Sequence, residues 1–129
     1  MAAYYLNSSI LSRSTGGNAV ASAAYRHAAK MTNDVTGQTR SYTGKAEELV
    51  HEEIILPADA PDWAINRYGG DDVAAASEVL WNDVEVRENQ HNRRAQAKLA
   101  QSYTIALPRE LDKEQSIALI REYIQQNLT

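Results

Sequence analysis

The chain has 129 residues, no cysteine and a formal net charge of −4. That length suits one domain with its own core, and the missing cysteines exclude both a disulfide framework and a thiolate metal site. No apolar run approaches the ~20 residues of a membrane helix, and no charged segment followed by an apolar stretch marks a secretory signal, so a soluble cytoplasmic protein is expected. The charge is unevenly spread. Residues 1–45 carry five basic groups and only Asp34 as an acid, residues 46–85 carry eleven acids and only Arg67 as a base, and residues 86–129 carry seven bases and five acids. One end is therefore suited to anions, while the acidic middle favours solubility.

In chain order, residues 3–13 alternate weakly, with Tyr4, Leu6 and Ile10 on one side and Tyr5, Asn7 and Ser9 on the other. This is expected to be a strand with one buried face. Next comes a polar turn with Gly16 and Gly17, which permit positive φ and close backbone approach. Asn18 is a preferred N-cap, so the following helix opens with N–H groups available to an anion. The alanine-rich run predicts that helix over about Ala19 to Met31. It carries Tyr25 between small residues, with Arg26 beside it and Lys30 about a turn later. A phenol among phosphate-seeking groups points to DNA or phosphoryl chemistry. The plainer reading is a packing tyrosine with its hydroxyl at the surface.

Asn33-Asp34 and Thr36-Gly37 are turn signals, with short strands expected around Gly37–Tyr42. Arg40 and Lys45 suit a DNA backbone or simply solvent. Val50–Leu56 reads as a strand ended by Pro57, and Trp63 and Ile65 as a short helical turn. Asp71 and Asp72 form a poor cation cage and are better placed at a helix start. That helix is expected from about Val73 to Leu99, with a break allowed, and with Leu80, Trp81 and Val84 inward. Its later part, with Arg87, Arg93, Arg94 and Lys98, reads as a solvated face. Gln101–Leu107 is a strand stopped by Pro108. Asp112 and Gln115 form a capping-box start, and Ile117, Ile120, Ile124 and Leu128 form a core-facing stripe. The order implies an α+β sandwich with a largely antiparallel sheet.

The opening AAYYLNSSILSRSTGGNAVASAAYRHAAKMTNDVTGQTRSYTGK resembles the plasmid mobilisation relaxases of the MobA/MobL type, the HUH-type tyrosine DNA nickases. The likeness continues through VHEEIILP (50–57), LWNDVE (80–85) and YTIALPREL (103–111). It implies a two-layer relaxase-like fold, with residues 1–129 as the N-terminal portion of a relaxase domain that lacks the C-terminal histidine-bearing strands. It matches Tyr25 to the nucleophile that nicks one strand at an origin of transfer, leaving a 5′-phosphotyrosyl adduct and a free 3′ hydroxyl for conjugative transfer. Tyrosine with its ordinary pKa of ~10 is a poor nucleophile unless activated. The resemblance therefore implies a divalent metal, Mg²⁺ or Mn²⁺, held in the complete protein by three histidines, two of them in a His-x-His pair.

His27, His51 and His91 are not so spaced. They read as surface or loop residues, so no metal ligand is expected within residues 1–129 and these residues alone should not nick DNA. Ser102 and Thr104 stand where the family commonly has acids, which leaves the general base unassigned. Arg13, Ser14, Arg26, Lys30, Arg40 and Lys45 are the candidate DNA contacts. The implied partners are single-stranded or hairpin DNA at the origin of transfer, other mobilisation proteins, and the remainder of the relaxase domain or a second copy. The location the resemblance implies is the bacterial cytoplasm, with translocation alongside the DNA. The alternative is a non-catalytic DNA-binding module of the same fold.

Overall fold

The computed structural model describes residues 5–12, 17–89 and 98–127. The expectations for Tyr4, Arg13, Ser14, Gly16, His91, Arg93, Arg94 and Leu128 lie outside the described residues. The elements are β1 (Tyr5–Ser12), α1 (Ala19–His27), β2 (Lys30–Thr32), β3 (Thr39–Ser41), a 3₁₀ helix (Thr43–Glu48), α2 (Asp62–Tyr68), α3 (Val73–Asn89), β4 (Lys98–Ala106) and α4 (Lys113–Asn127). The architecture is α+β, as expected. β1 pairs antiparallel with β4, placing Ser9 opposite Ser102, and β2 pairs antiparallel with β3 as a short hairpin.

The core forms where α1 meets α3. Ala19, Val20, Ala23 and Ala24 are buried on α1, and small side chains let neighbouring elements approach closely. Val20, Ala23 and Ala24 join Met31 of β2, while Ala19 joins Leu99 of β4; the half-buried Trp81 of α3 packs against both groups. The entry to α1 is fixed by Gly17, whose N–H donates to the Ser12 carbonyl at 2.8 Å. A Cβ at Gly17 would lie 2.4 Å from that oxygen, so the close approach requires glycine here.

Several expected elements differ. α1 ends at His27 because Ala28 turns left-handed (φ 52°, ψ 48°), and the Ala29 N–H closes the helix on the Ala24 carbonyl at 2.9 Å. Lys30 and Met31 thus belong to a strand. Ile10, expected on the buried face of β1, is exposed, whereas Leu11 packs against the Leu99 group and Ser12 is buried. The pairing register shifts between Leu11 and Ser12, which redirects the side chains at this end of the strand. Val50–Leu56 is not a strand. Among the described residues no strand pairs with it, and it is held instead through its side chains, Glu52 to His27 and Glu53 to Arg121.

α3 does not continue to Leu99, because Lys98–Ala106 is a strand pairing with β1. Its most buried residues are Ala76, Ser77, Asn82 and Glu85, while Leu80 and Val84 are half-buried. The expected capping box of α4 is present: the Asp112 N–H donates to Gln115 Oε1 at 3.0 Å and the Gln115 N–H to Asp112 Oδ1 at 2.8 Å. The stripe behind it is not a closed core. Ile117, Ile120 and Ile124 are half-buried along an open groove of about 980 Å³ shared with Leu49, Ile55 and Leu107.

Candidate functional site

Tyr25 sits in the last turn of α1, and 52 % of its surface is exposed. The alanines before it bury the opposite face of the helix, which turns the phenol outward. Tyr42, just after β3, meets it edge to face with ring centroids 5.3 Å apart. Lys45, on the 3₁₀ helix, places its Nζ 3.4 Å from the centre of the Tyr25 ring. The phenol thus has a nearly perpendicular aromatic ring beside it and an ammonium over a face.

The β2–β3 hairpin leads into these two neighbours, and α3 holds that hairpin. Asn82 Nδ2 donates to the Thr32 carbonyl at 2.9 Å, and its Oδ1 accepts from the Asp34 N–H at 2.7 Å. Glu78 Oε2 accepts from the Thr32 N–H at 2.7 Å. The chain after β3 is tied back to the end of α1 by the Tyr42 N–H, which donates to the Ala29 carbonyl at 3.0 Å. Nothing in the sequence marks Tyr42, Asn82 or Glu78 as parts of a site. Tyr42 lies 17 positions from Tyr25, and only the hairpin brings the two rings together.

The start of α1 is not open to an anion. Asn18 caps it as expected, accepting from the Ala21 N–H at 2.9 Å, but a carboxylate of the protein already occupies the helix end. Glu85 of α3 is 1 % exposed and accepts from the Ala19 N–H at 2.7 Å. A buried carboxylate is tolerated where helix N–H groups and the helix dipole favour negative charge. In the sequence, Glu85 lies on one helix face with Ser77, Trp81 and Asn82, and that spacing is the signal that would have found it.

The candidate cations fall in three places. Arg26 Nη2 donates to Ser102 Oγ at 2.6 Å, so the position expected to hold an acid offers the guanidinium a neutral hydroxyl. Lys30 and Arg40 are exposed on the hairpin, where Lys30 pairs with Ser41 and Arg40 with Met31. Among the described residues none of Arg26, Lys30, Arg40 or Lys45 pairs with a carboxylate. The structure brings Lys45 to Tyr25, directs Arg26 to the β1–β4 sheet, and places Lys30 and Arg40 on the hairpin.

The acids behave differently. Asp83 accepts two bonds from Arg67, at 2.6 and 2.8 Å, and one from the Tyr68 hydroxyl at 2.6 Å. The guanidinium holds the Asp83 carboxyl below the usual range and is itself raised; burial and the neighbouring carboxylate push the Tyr68 phenol up. Glu53 is lowered by its bond from Arg121 at 2.7 Å. Asp72 caps α3 by accepting from the Ala75 N–H at 3.1 Å, the helix-start role expected for it.

His27 is not a surface histidine: its side chain is 13 % exposed and its Nδ1 lies 2.8 Å from Glu52 Oε2. His51 Nε2 lies 3.1 Å from Glu53 Oε1. Among the described residues no three histidine, cysteine or acidic side chains gather in a way that would hold a metal ion. No described helix is long and apolar enough to cross a membrane.

Residues 17–129 match the model of the MobA/MobL family. The chain belongs to the MobA/MobL family. The resemblance read from the sequence is thereby borne out. The chain is 47% identical over 128 residues to the conjugal transfer protein TraA of Agrobacterium fabrum (strain C58), covering 99% of this chain and 11% of that protein. It is 37% identical over 123 residues to the mobilization protein MobL of Acidithiobacillus ferridurans, covering 95% of this chain and 28% of that one. It also resembles a solved structure described as "Molecular Basis of Vancomycin Resistance Transfer in Staphylococcus aureus", with a TM-score of 0.77 and 26% identity over 97% of this chain and 56% of the other. The chain therefore spans only part of the length of each of these proteins.

Proposed function

We propose that this chain is the nucleophile-bearing part of a DNA relaxase, in which Tyr25 nicks one strand at an origin of transfer. The observation that carries the reading is the placement of Tyr25: a half-exposed phenol at the end of a rigid helix, with Lys45 against its ring and, among the described residues, no acid paired to the nearby cations. The phenol oxygen attacks phosphorus, the bond from phosphorus to the 3′ oxygen breaks, and the protein is left joined to the 5′ phosphate. The phenol proton leaves and the departing 3′ oxygen gains one. The new linkage remains a phosphodiester, so the strand can be rejoined. Arg26, Lys30, Arg40 and Lys45 offer charge to the DNA backbone; Arg13 and Ser14 belong to the same proposal by sequence.

A divalent ion, Mg²⁺ or Mn²⁺, is part of this reading in the complete protein, where it would act as a Lewis acid on the scissile phosphate. His27 and His51 are each engaged with a glutamate and do not form a set for it. The partners in this reading are single-stranded or hairpin origin DNA and the rest of the mobilisation machinery, in the bacterial cytoplasm.

Replacing Tyr25 by Phe in the full-length protein tests the assignment. DNA binding is expected to persist, while the detergent-resistant protein–DNA adduct disappears. An adduct that survives the substitution removes Tyr25 from the role. Tight binding without any adduct from the unsubstituted protein would instead favour a non-catalytic DNA-binding module.

A further inference from the structure

The contact between Lys45 and Tyr25 has no counterpart elsewhere among the described cations. Arg67 and Arg121 engage carboxylates, and Arg26 engages a hydroxyl. Lys45 alone among them lies over a ring, 3.4 Å from its centre, on a 3₁₀ helix that follows directly on Tyr42. A cation against a ring face is held weakly and keeps its full charge. A phosphate oxygen is a far stronger partner for an ammonium than a ring is. Any phosphate bonded to the Tyr25 oxygen would lie at the rim of that same ring, within one swing of the flexible lysine stem.

Tyr42 supplies the second half of the arrangement. Its ring packs against the Val20, Ala23, Ala24 and Met31 core and stands nearly perpendicular to the Tyr25 ring. Its N–H is bonded to Ala29, two residues past the end of α1. The Tyr42 ring and the lysine therefore come from one short segment, 42–45, tied to the end of the helix that carries the phenol.

We propose that Lys45 binds the phosphate that becomes bonded to Tyr25, with Tyr42 as the positioning residue that fixes the phenol beneath it. This rests on the relaxase reading and adds a residue role to it. During attack the bond from the Tyr25 oxygen to phosphorus forms and the bond to the 3′ oxygen breaks. As the phenol oxygen adds and its proton leaves, negative charge grows on the two non-bridging phosphoryl oxygens, and Lys45 offsets it there. A cation brought against developing charge acts on the chemical step more than on binding.

The test uses the full-length protein, supercoiled DNA of the replicon that encodes it, and Mn²⁺. The rate of detergent-resistant adduct formation is measured beside affinity for mixed-sequence single-stranded DNA. Lys45→Met is expected to slow adduct formation ~10²-fold, while changing mixed-sequence affinity less than ~threefold, because only one of several phosphate contacts is removed. Lys45→Arg restores most of the rate, since it returns the charge. Tyr42→Leu, which keeps the core filled, lowers the rate without weakening binding, and Tyr42→Phe, which restores the ring, recovers it. A Lys45→Met rate within twofold of the original overturns the proposal. So does an equal fall in binding and rate, which makes Lys45 an ordinary backbone contact, or a Lys45→Arg variant as slow as Lys45→Met. If the unsubstituted protein forms no adduct, the relaxase reading falls and takes this role with it; an adduct indifferent to Lys45 removes this role alone.

Discussion

The acidic middle of the chain and the basic hairpin beside α1 use their charges in opposite ways. Between residues 52 and 85 several carboxylates are engaged within the fold. Glu85 holds the start of α1, Glu78 holds β2, Asp72 starts α3, Asp83 ties α3 to the end of α2, and Glu52 and Glu53 fasten an irregular segment to α1 and α4. Around Tyr25 the described cations lack such partners. A net charge of −4 therefore conceals a division of labour. The acids serve the framework by accepting from N–H groups and cations of the protein itself, and the described bases around Tyr25, which pair with no carboxylate, are left for an anion from outside.

The largest effect expected from breaking that division is at Glu85. Glu85→Ala removes a buried side chain and leaves the Ala19 N–H without its acceptor, which should cost ~3 kcal/mol of stability. Glu85→Gln keeps an oxygen for the same bond and should cost clearly less. Denaturant melts of the two variants measure both, and an alanine variant as stable as the original would show that the acid is not structural.

Removing a base should do the reverse. Lys30→Gln and Arg40→Gln together are expected to leave the melt unchanged. They should flatten the salt dependence of single-stranded DNA binding by ~0.7 of log–log slope for each phosphate they no longer neutralise. An unaltered slope would return both residues to ordinary solvated charge.

The smallest effect concerns pH. Asp83 and Glu53 are held below the ordinary carboxylate range by Arg67 and Arg121. Groups lowered in the folded state stabilise it above their unfolded pKa values of ~4, and that contribution vanishes as pH falls through the lower folded values. Both pairs are substantially solvated, so each contributes little. The stability difference between the original and Asp83→Asn should be present at neutral pH and shrink toward zero in acid. Denaturant midpoints across that range would show it, and a difference that grows in acid would contradict the pairing.

What the sequence determined by itself was local chemistry and family. Alanine content specified α1 and its outward tyrosine, Asn18 its cap, Asp112 with Gln115 the start of α4, and Pro108 a stop just after β4. These depend on residues a few positions apart, so composition and spacing suffice to read them. The separated motifs, from the AAYR element to ALPREL, carried the MobA/MobL family likewise. The tertiary structure decided everything that depended on distant partners. Ile54–Leu56 had the composition of a strand but no neighbouring strand among the described residues, and strands exist only as pairs. Glu85 looked like one acid among many until the fold placed it against Ala19. Tyr42 joined the candidate site, and Lys45 came to lie over the Tyr25 ring, only because Asn82 and Glu78 draw the hairpin onto α3, and so onto the end of the helix that carries Tyr25.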